Sequence, residues 1–210
     1  MTQKNIILVI FLISFGHISA QKYSHGKIIT NDGDTVECMI KVGKWDTSPN
    51  RIVTQRNEDT KKYWPTEIAS FQVDDRTFVS ARVKLEVSNH LDGTLDLEES
   101  RLKFENDSIF AELIVAGKKN LYRYKSPSYK EHFLIADQGG PLESLAFKRF
   151  HVWANVGGKS VKRVLYNEEY KNQLEKCFAD CPGFKDKIAV TAYEVGQLRS
   201  LFGLYHSCAN

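Results

Sequence analysis

The sequence predicts an α+β fold: an antiparallel β-meander sheet, partly closed or strongly curved, covered by a C-terminal cluster of about three short helices. Three observations point there. Between residues 27 and 147, apolar residues recur with the period of a strand. The turns between these runs are too short for parallel crossovers, which need a dozen or more residues. After residue 160 the apolar spacing changes to that of a helix.

The first hairpin is read from Lys27-Ile28-Ile29-Thr30, the Asp32-Gly33 turn signal, and Thr35 to Val42. In the second run Val36, Cys38, Ile40 and Val42 share one face, which places Cys38 inward. Farther on, Val79, Ala81, Val83, Leu85 and Val87 line one face of a strand. Arg82, Lys84 and Glu86 line the other, which is expected to meet water. The polar stretch Ser88 to Arg101 reads as an exposed loop. Ile109 to Ala116 is nearly all apolar and reads as a central strand. Strands over Leu121–Lys125, His132–Ala136 and Leu142–Phe147 complete the meander, with glycine-containing turns between them.

Ala154 to Ser160 contains Gly157-Gly158 and reads as a linker. Beyond it Tyr166, Tyr170, Leu174, Cys177 and Phe178 fall on one helical stripe. Pro182 suits the first turn of a short helix through Ile188. Thr191-Ala192-Tyr193-Glu194 matches a capping box before the stripe Val195, Leu198, Leu201, Phe202 and Tyr205. The expected organisation is a signal peptide over residues 1–20, an antiparallel β domain over 21–153, and a helical segment over 154–210 packed on the sheet as one folding unit.

The leader rests on Lys4, the apolar run Ile6 to Phe15, and small Ser19 and Ala20 before Gln21. That run is shorter than the roughly 20 residues of a membrane-crossing helix. No other stretch is long and apolar enough for one, so no membrane span is expected after leader removal. Export is expected, to the periplasm or the outer envelope.

Hydrophobic residues make up 42% of the 210, aromatic residues 11% and charged residues 26%, which are globular values. The formal net charge is +3. Loss of Lys4 with the leader leaves +2, too little for a strongly basic nucleic-acid binder.

The four cysteines are Cys38, Cys177, Cys181 and Cys208. An even number in an exported chain favours disulfides. Cys177 and Cys181 are poorly spaced to bridge each other on a helix. A Cys181–Cys208 bridge would tie the tail down, leaving Cys38 and Cys177 to pair or stay free. Four cysteines allow three pairings, and spacing alone does not choose among them. One C-x₃-C lacks the second pair of a zinc site and the spacing of a redox C-x-x-C.

Other motifs are incomplete. Val156-Gly157-Gly158-Lys159-Ser160 resembles the end of a phosphate-binding loop, but Trp153 stands where that loop needs glycine. The acidic run Asp92 to Glu99 lacks the ligand order of a calcium loop. No G-x-S-x-G or H-E-x-x-H occurs. Neither a metal nor a cofactor is expected. His132 and His151, near strand ends, are the histidines best placed to face a site. Tyr63, Trp64, Tyr122 and Tyr124 sit beside basic residues and form a candidate surface for a protein or glycan partner.

Several segments together resemble a known group. They are Gly26 to Thr30 with Gly33-Asp34-Thr35-Val36, the Asp180-Cys181-Pro182 step, and Leu201-Phe202-Gly203-Leu204-Tyr205 before Cys208. The chain resembles uncharacterised signal-peptide-bearing envelope proteins of Gram-negative bacteria. In some of those a similar region precedes an outer-membrane β-barrel, which this chain lacks. The resemblance implies an envelope address and supports a disulfide at Cys181 and Cys208. It carries over no catalytic residue. The function expected is a non-enzymatic exported module that binds an envelope protein or glycan. The alternative is a small secreted hydrolase with a site assembled from loop carboxylates and strand histidines.

Overall fold

The computed structural model describes residues 23–43 and 45–208. The leader expected over 1–20 lies outside the described residues. The strands are β1 (Tyr23–Thr30), β2 (Thr35–Lys41), β3 (Ile52–Arg56), β4 (Asp59–Tyr63), β5 (Ile68–Val73), β6 (Arg76–Glu86), β7 (Phe104–Val115), β8 (Lys119–Lys125), β9 (Glu131–Asp137), β10 (Glu143–Leu145), β11 (Lys148–Val156) and β12 (Lys159–Asn167). The helices are α1 (Glu169–Cys177), α2 (Phe184–Val190) and α3 (Val195–Cys208). Ten strands form one open antiparallel sheet in the order β10-β9-β8-β7-β6-β5-β1-β2-β3-β4, and β11 pairs with β12 alone. The α+β meander with three C-terminal helices is thus the observed fold.

The first hairpin turns at Gly33, whose φ of 91° only glycine adopts without strain. Gly26 in β1 has a different role. It pairs with Cys38 of β2 and Val73 of β5. A Cβ there would overlap the Gln72 carbonyl oxygen and the Ile40 side chain. Glycine lets the three backbones close up.

Register places Ile28, Phe71, Phe78 and Phe110 on one face of the sheet. With Ile40, Ile52, Ile68 and Val73 they form one core. The segment after β2 crosses this face. Trp45 stands edge-on to Phe71 and Phe78, with ring centres 6.0 and 5.5 Å away. Ser48 pins the segment to β8: its N–H donates to the Lys125 carbonyl at 2.8 Å, and its Oγ accepts the Lys125 N–H at 3.0 Å.

On the same face, β8, β9 and β10 present Leu121, Phe133, Ile135 and Leu145 to the helices. These meet Tyr170 and Leu174 of α1, Phe184 and Ile188 of α2, and Leu198, Leu201, Phe202 and Tyr205 of α3. The Tyr193 hydroxyl locks the helical cover to the sheet. It donates to the Leu145 carbonyl at 2.8 Å and accepts the Phe133 N–H at 3.0 Å. Between the two cores Glu112 accepts hydrogen bonds from Arg76 and Arg123, each at 2.7 Å.

The opposite face of β6–β9 forms a third core of Val83, Leu85, Ile109, Ala111, Tyr122, Tyr124, Leu134 and Ala136. The sheet curls around it and brings β10 close to β6.

Several local readings need correction. Strands β3, β4 and β5 were not expected. Residues 154–160 are not a linker. Gly157 and Gly158 have φ of 59° and 80° and form the two-residue turn of the β11–β12 hairpin. Tyr166 therefore lies in β12, exposed, and not on a helix. Thr191 does not cap α3. Its hydroxyl donates to the Lys187 carbonyl at 2.7 Å, and Gln197 Oε1 takes the Ala192 N–H instead. Glu86 does not meet water; it is 1% exposed. The segment 88–101 is tied down rather than free. Asp92 pairs with Arg149, Asp96 with Lys148, and Leu97 forms a β-bridge to His151.

Candidate functional site

A cleft of about 610 Å³ opens at the end of the third core. Its walls come from the end of β6 and the following Ser88–Thr94 segment, the start of β7, and the turn from β8 to β9. Tyr124 and His132 form its floor. They are directly paired across β8 and β9, and their rings stack with centres 5.8 Å apart. Both are nearly inaccessible, at 7% and 3% exposure. Burial, then the nearby Lys130 cation, lowers the His132 pKa to about 4, so the imidazole is neutral near pH 7. Burial and then Asp107 push the Tyr124 phenol up to about 12.

Behind one wall lies a buried ion pair. Burial acts to raise the Glu86 pKa, but hydrogen bonds from Lys130 and Ser88 outweigh it and hold the carboxyl low. The carboxylate accepts from Lys130 Nζ and Ser88 Oγ at 2.5 Å, the Ser88 N–H at 3.1 Å and the Lys103 N–H at 3.2 Å. Lys130 also donates to the Ser88 carbonyl at 2.8 Å. Its own pKa is lowered by desolvation. The β8–β9 turn holds Lys130 in place: its N–H donates to Ser126 Oγ, and Tyr129 adopts φ of 66°. His90 and Lys130 also line a second cavity of about 160 Å³ beside Phe147 and Tyr193. Burial and then Lys130 lower the His90 pKa, and its Nε2 is buried without a hydrogen-bond partner.

The polar groups that line the cleft are largely neutral amides and hydroxyls: Asn89, Asn106, Thr94, Ser126 and Ser128. Glu105 and Asp107 of β7 add carboxylates. Among the described residues no group of three or more His, Cys, Asp or Glu side chains is placed to hold a metal ion.

The sequence-selected residues divide. His132 and Tyr124 join the cleft. His151 does not; it lies on β11, where its N–H donates to the Asp96 carbonyl and its carbonyl accepts the Glu98 N–H. Tyr122 is buried in the third core and its hydroxyl accepts from Asn120. Tyr63 packs against the core around Phe71 and Phe78 with Lys61 Nζ over its ring at 4.6 Å, and Trp64 is exposed beside it. Six strands separate β4 from β8 in the sheet order, so the four aromatics do not form one surface. Asp92, Asp96 and Glu99 of the 92–99 loop pair with Arg149, Lys148, Lys103 and Arg101 rather than with a histidine.

Cys181 and Cys208 are a disulfide-compatible pair, with Cα atoms 6.0 Å apart. Cys38 and Cys177 are free and belong to different cores. No helix among the described residues is long and apolar enough to cross a membrane.

Glu86 and Lys130 were missed from the sequence. Strand alternation put Glu86 on the wet face, and nothing in the sequence singled out Lys130. Their separation of 44 positions hides the pairing. Comparisons with protein-family models, curated proteins and solved structures found no match to this chain.

Proposed function

We propose that the protein is an exported, non-enzymatic binding module of the periplasm or outer envelope, and that its cleft takes a glycan. The observation that carries this reading is the chemistry of the cleft. Amides, hydroxyls, two carboxylates and the Lys130 ammonium surround a space of about 610 Å³ above an aromatic floor. Such groups match the hydroxyl arrays of sugars, which need many neutral donors and acceptors around a few fixed contacts. Acid–base chemistry is poorly served there. His132 is a weak base, and every hydrogen bond of Glu86 is already committed to Lys130, Ser88 and Lys103. A Cys181–Cys208 disulfide fits the oxidising address.

The test is calorimetric titration of the oxidised mature protein with envelope-type oligosaccharides found on a glycan array. Saturable binding that weakens at least tenfold in Asn106→Ala and Asp107→Asn supports the reading. Absence of any glycan ligand, or turnover of the bound glycan, overturns it.

The hydrolase reading keeps one supporting observation: Ser88, His132 and Asp107 line the same cleft. Hydrolysis abolished by His132→Ala in a folded protein would decide for it.

A further inference from the structure

We propose that the β11–β12 hairpin is a membrane-surface contact that lays one face against anionic phospholipid headgroups. The hairpin's base is fixed. Lys148 is fully buried and donates to Asp96 and to the Arg101 carbonyl at 2.8 Å each. Asn167 Nδ2 donates to the Ser100 carbonyl at 3.0 Å, and Tyr166 stacks on Phe147. Beyond this base β12 has almost no cover, and two-stranded ribbons of this kind seldom hold without a partner surface.

Register defines the faces. Ala154 lies opposite Val161, Val156 opposite Lys159, Val152 opposite Arg163 and Phe150 opposite Leu165. Opposite residues in an antiparallel pair point the same way. One face therefore carries Val152, Val156, Val161 and Leu165 together with Lys159 and Arg163. Val156, Val161 and Leu165 are 45%, 36% and 46% exposed. No Asp or Glu occurs between residues 148 and 167. Lys159 and Arg163 make no ion pair among the described residues, whereas Lys148 and Arg149 are already paired at the base and Lys162, on the other face, lies over the Trp153 ring at 5.5 Å.

Apolar side chains and unpaired cations on one face suit the boundary between headgroups and acyl chains, where long basic side chains reach back to phosphate. Two other occupants fit less well. A second copy would bring the cations of two hairpins together. A protein partner needs roughly 800 Å² per side for a stable complex, and the free part of the ribbon, about six residues per strand or ~20 Å, is too small to supply that.

The probe is vesicles of phosphatidylcholine with 30 mol% phosphatidylglycerol, beside pure phosphatidylcholine, in ~50 mM salt. The oxidised mature protein is expected to cosediment with the anionic vesicles only, and to be released by raised salt. The variant Lys159→Gln, Arg163→Gln and the variant Val156→Ser, Val161→Ser should each weaken partitioning at least tenfold. Unchanged circular dichroism and unfolding midpoint establish that both variants fold. No cosedimentation, equal cosedimentation with neutral vesicles, or full retention by both variants overturns the proposal. So does a dimer of the wild type that both variants abolish.

Discussion

Lys148 Nζ and Asp96 Oδ2 meet at 2.8 Å where no solvent reaches the lysine side chain. Lys103 donates to the same oxygen at 2.8 Å. These hydrogen bonds, from Lys103 and then Lys148, bring the Asp96 pKa down to about 2. The pair fastens the 88–101 segment to the base of β11. Asp96→Asn leaves a buried ammonium short of its counter-charge, and a loss of about 3 kcal/mol is expected. Urea unfolding at pH 7 measures it, and an unchanged midpoint would refute the anchoring role. The carboxyl has a folded pKa below its unfolded value near 3.9, so its contribution is complete above pH ~4 and disappears as pH falls toward ~2.

His132 predicts a second, separate acid dependence. Its folded pKa of about 4 lies below the ordinary histidine value of 6.5 because burial penalises the imidazolium. The unfolded chain therefore binds the proton first. Stability is complete above pH ~6.5 and falls as pH drops toward ~4, by up to about 3 kcal/mol. His132→Phe should flatten unfolding free energy between pH 7 and pH 4.5 relative to wild type. Parallel curves would show that the imidazole is not buried as described.

Thiol chemistry checks the cysteine arrangement. The denatured, unreduced mature protein should titrate two thiols, Cys38 and Cys177, and four after reduction. Four before reduction would exclude the bridge. With a sequence separation of 27, removing it in Cys181→Ser, Cys208→Ser should cost about 3.5 kcal/mol by the chain-entropy relation.

Gly26 offers the sharpest steric test. Gly26→Ala forces a methyl into the Gln72 carbonyl and Ile40, neither of which has room to move inside three paired strands. A destabilisation of about 1–3 kcal/mol is expected in thermal or urea unfolding. Tolerance without loss would mean that β5 does not seal against β1 as described.

The parts legible in the sequence were those where one period dominates. Val36-Cys38-Ile40 and Val83-Leu85 alternate because one face is buried, and the helical stripes are regular because all three helices cover one apolar surface. β4 was illegible because Asp59-Thr60-Lys61-Lys62 is polar throughout, as suits an edge strand. β12 was hidden for a related reason: with both faces wet, Lys159-Ser160-Val161-Lys162-Arg163 has no period to show. His132 was visible as a strand histidine. Its cleft was not, because the walls come from segments far apart in the sequence: the end of β6, the start of β7 and the β8–β9 turn.

The helices cover β8–β10 from the far end of the chain. A polypeptide made from its N-terminus completes β1 to β7, with Phe71, Phe78 and Phe110 already packed together, before any residue of α1 exists. Leu121, Phe133, Ile135 and Leu145 then wait as a bare apolar surface until residues 169–208 arrive. The emerging chain is therefore most sticky just before the three helices are made. That interval is the one in which a holding chaperone would matter most, and a chain cut short before Glu169 would keep it open permanently.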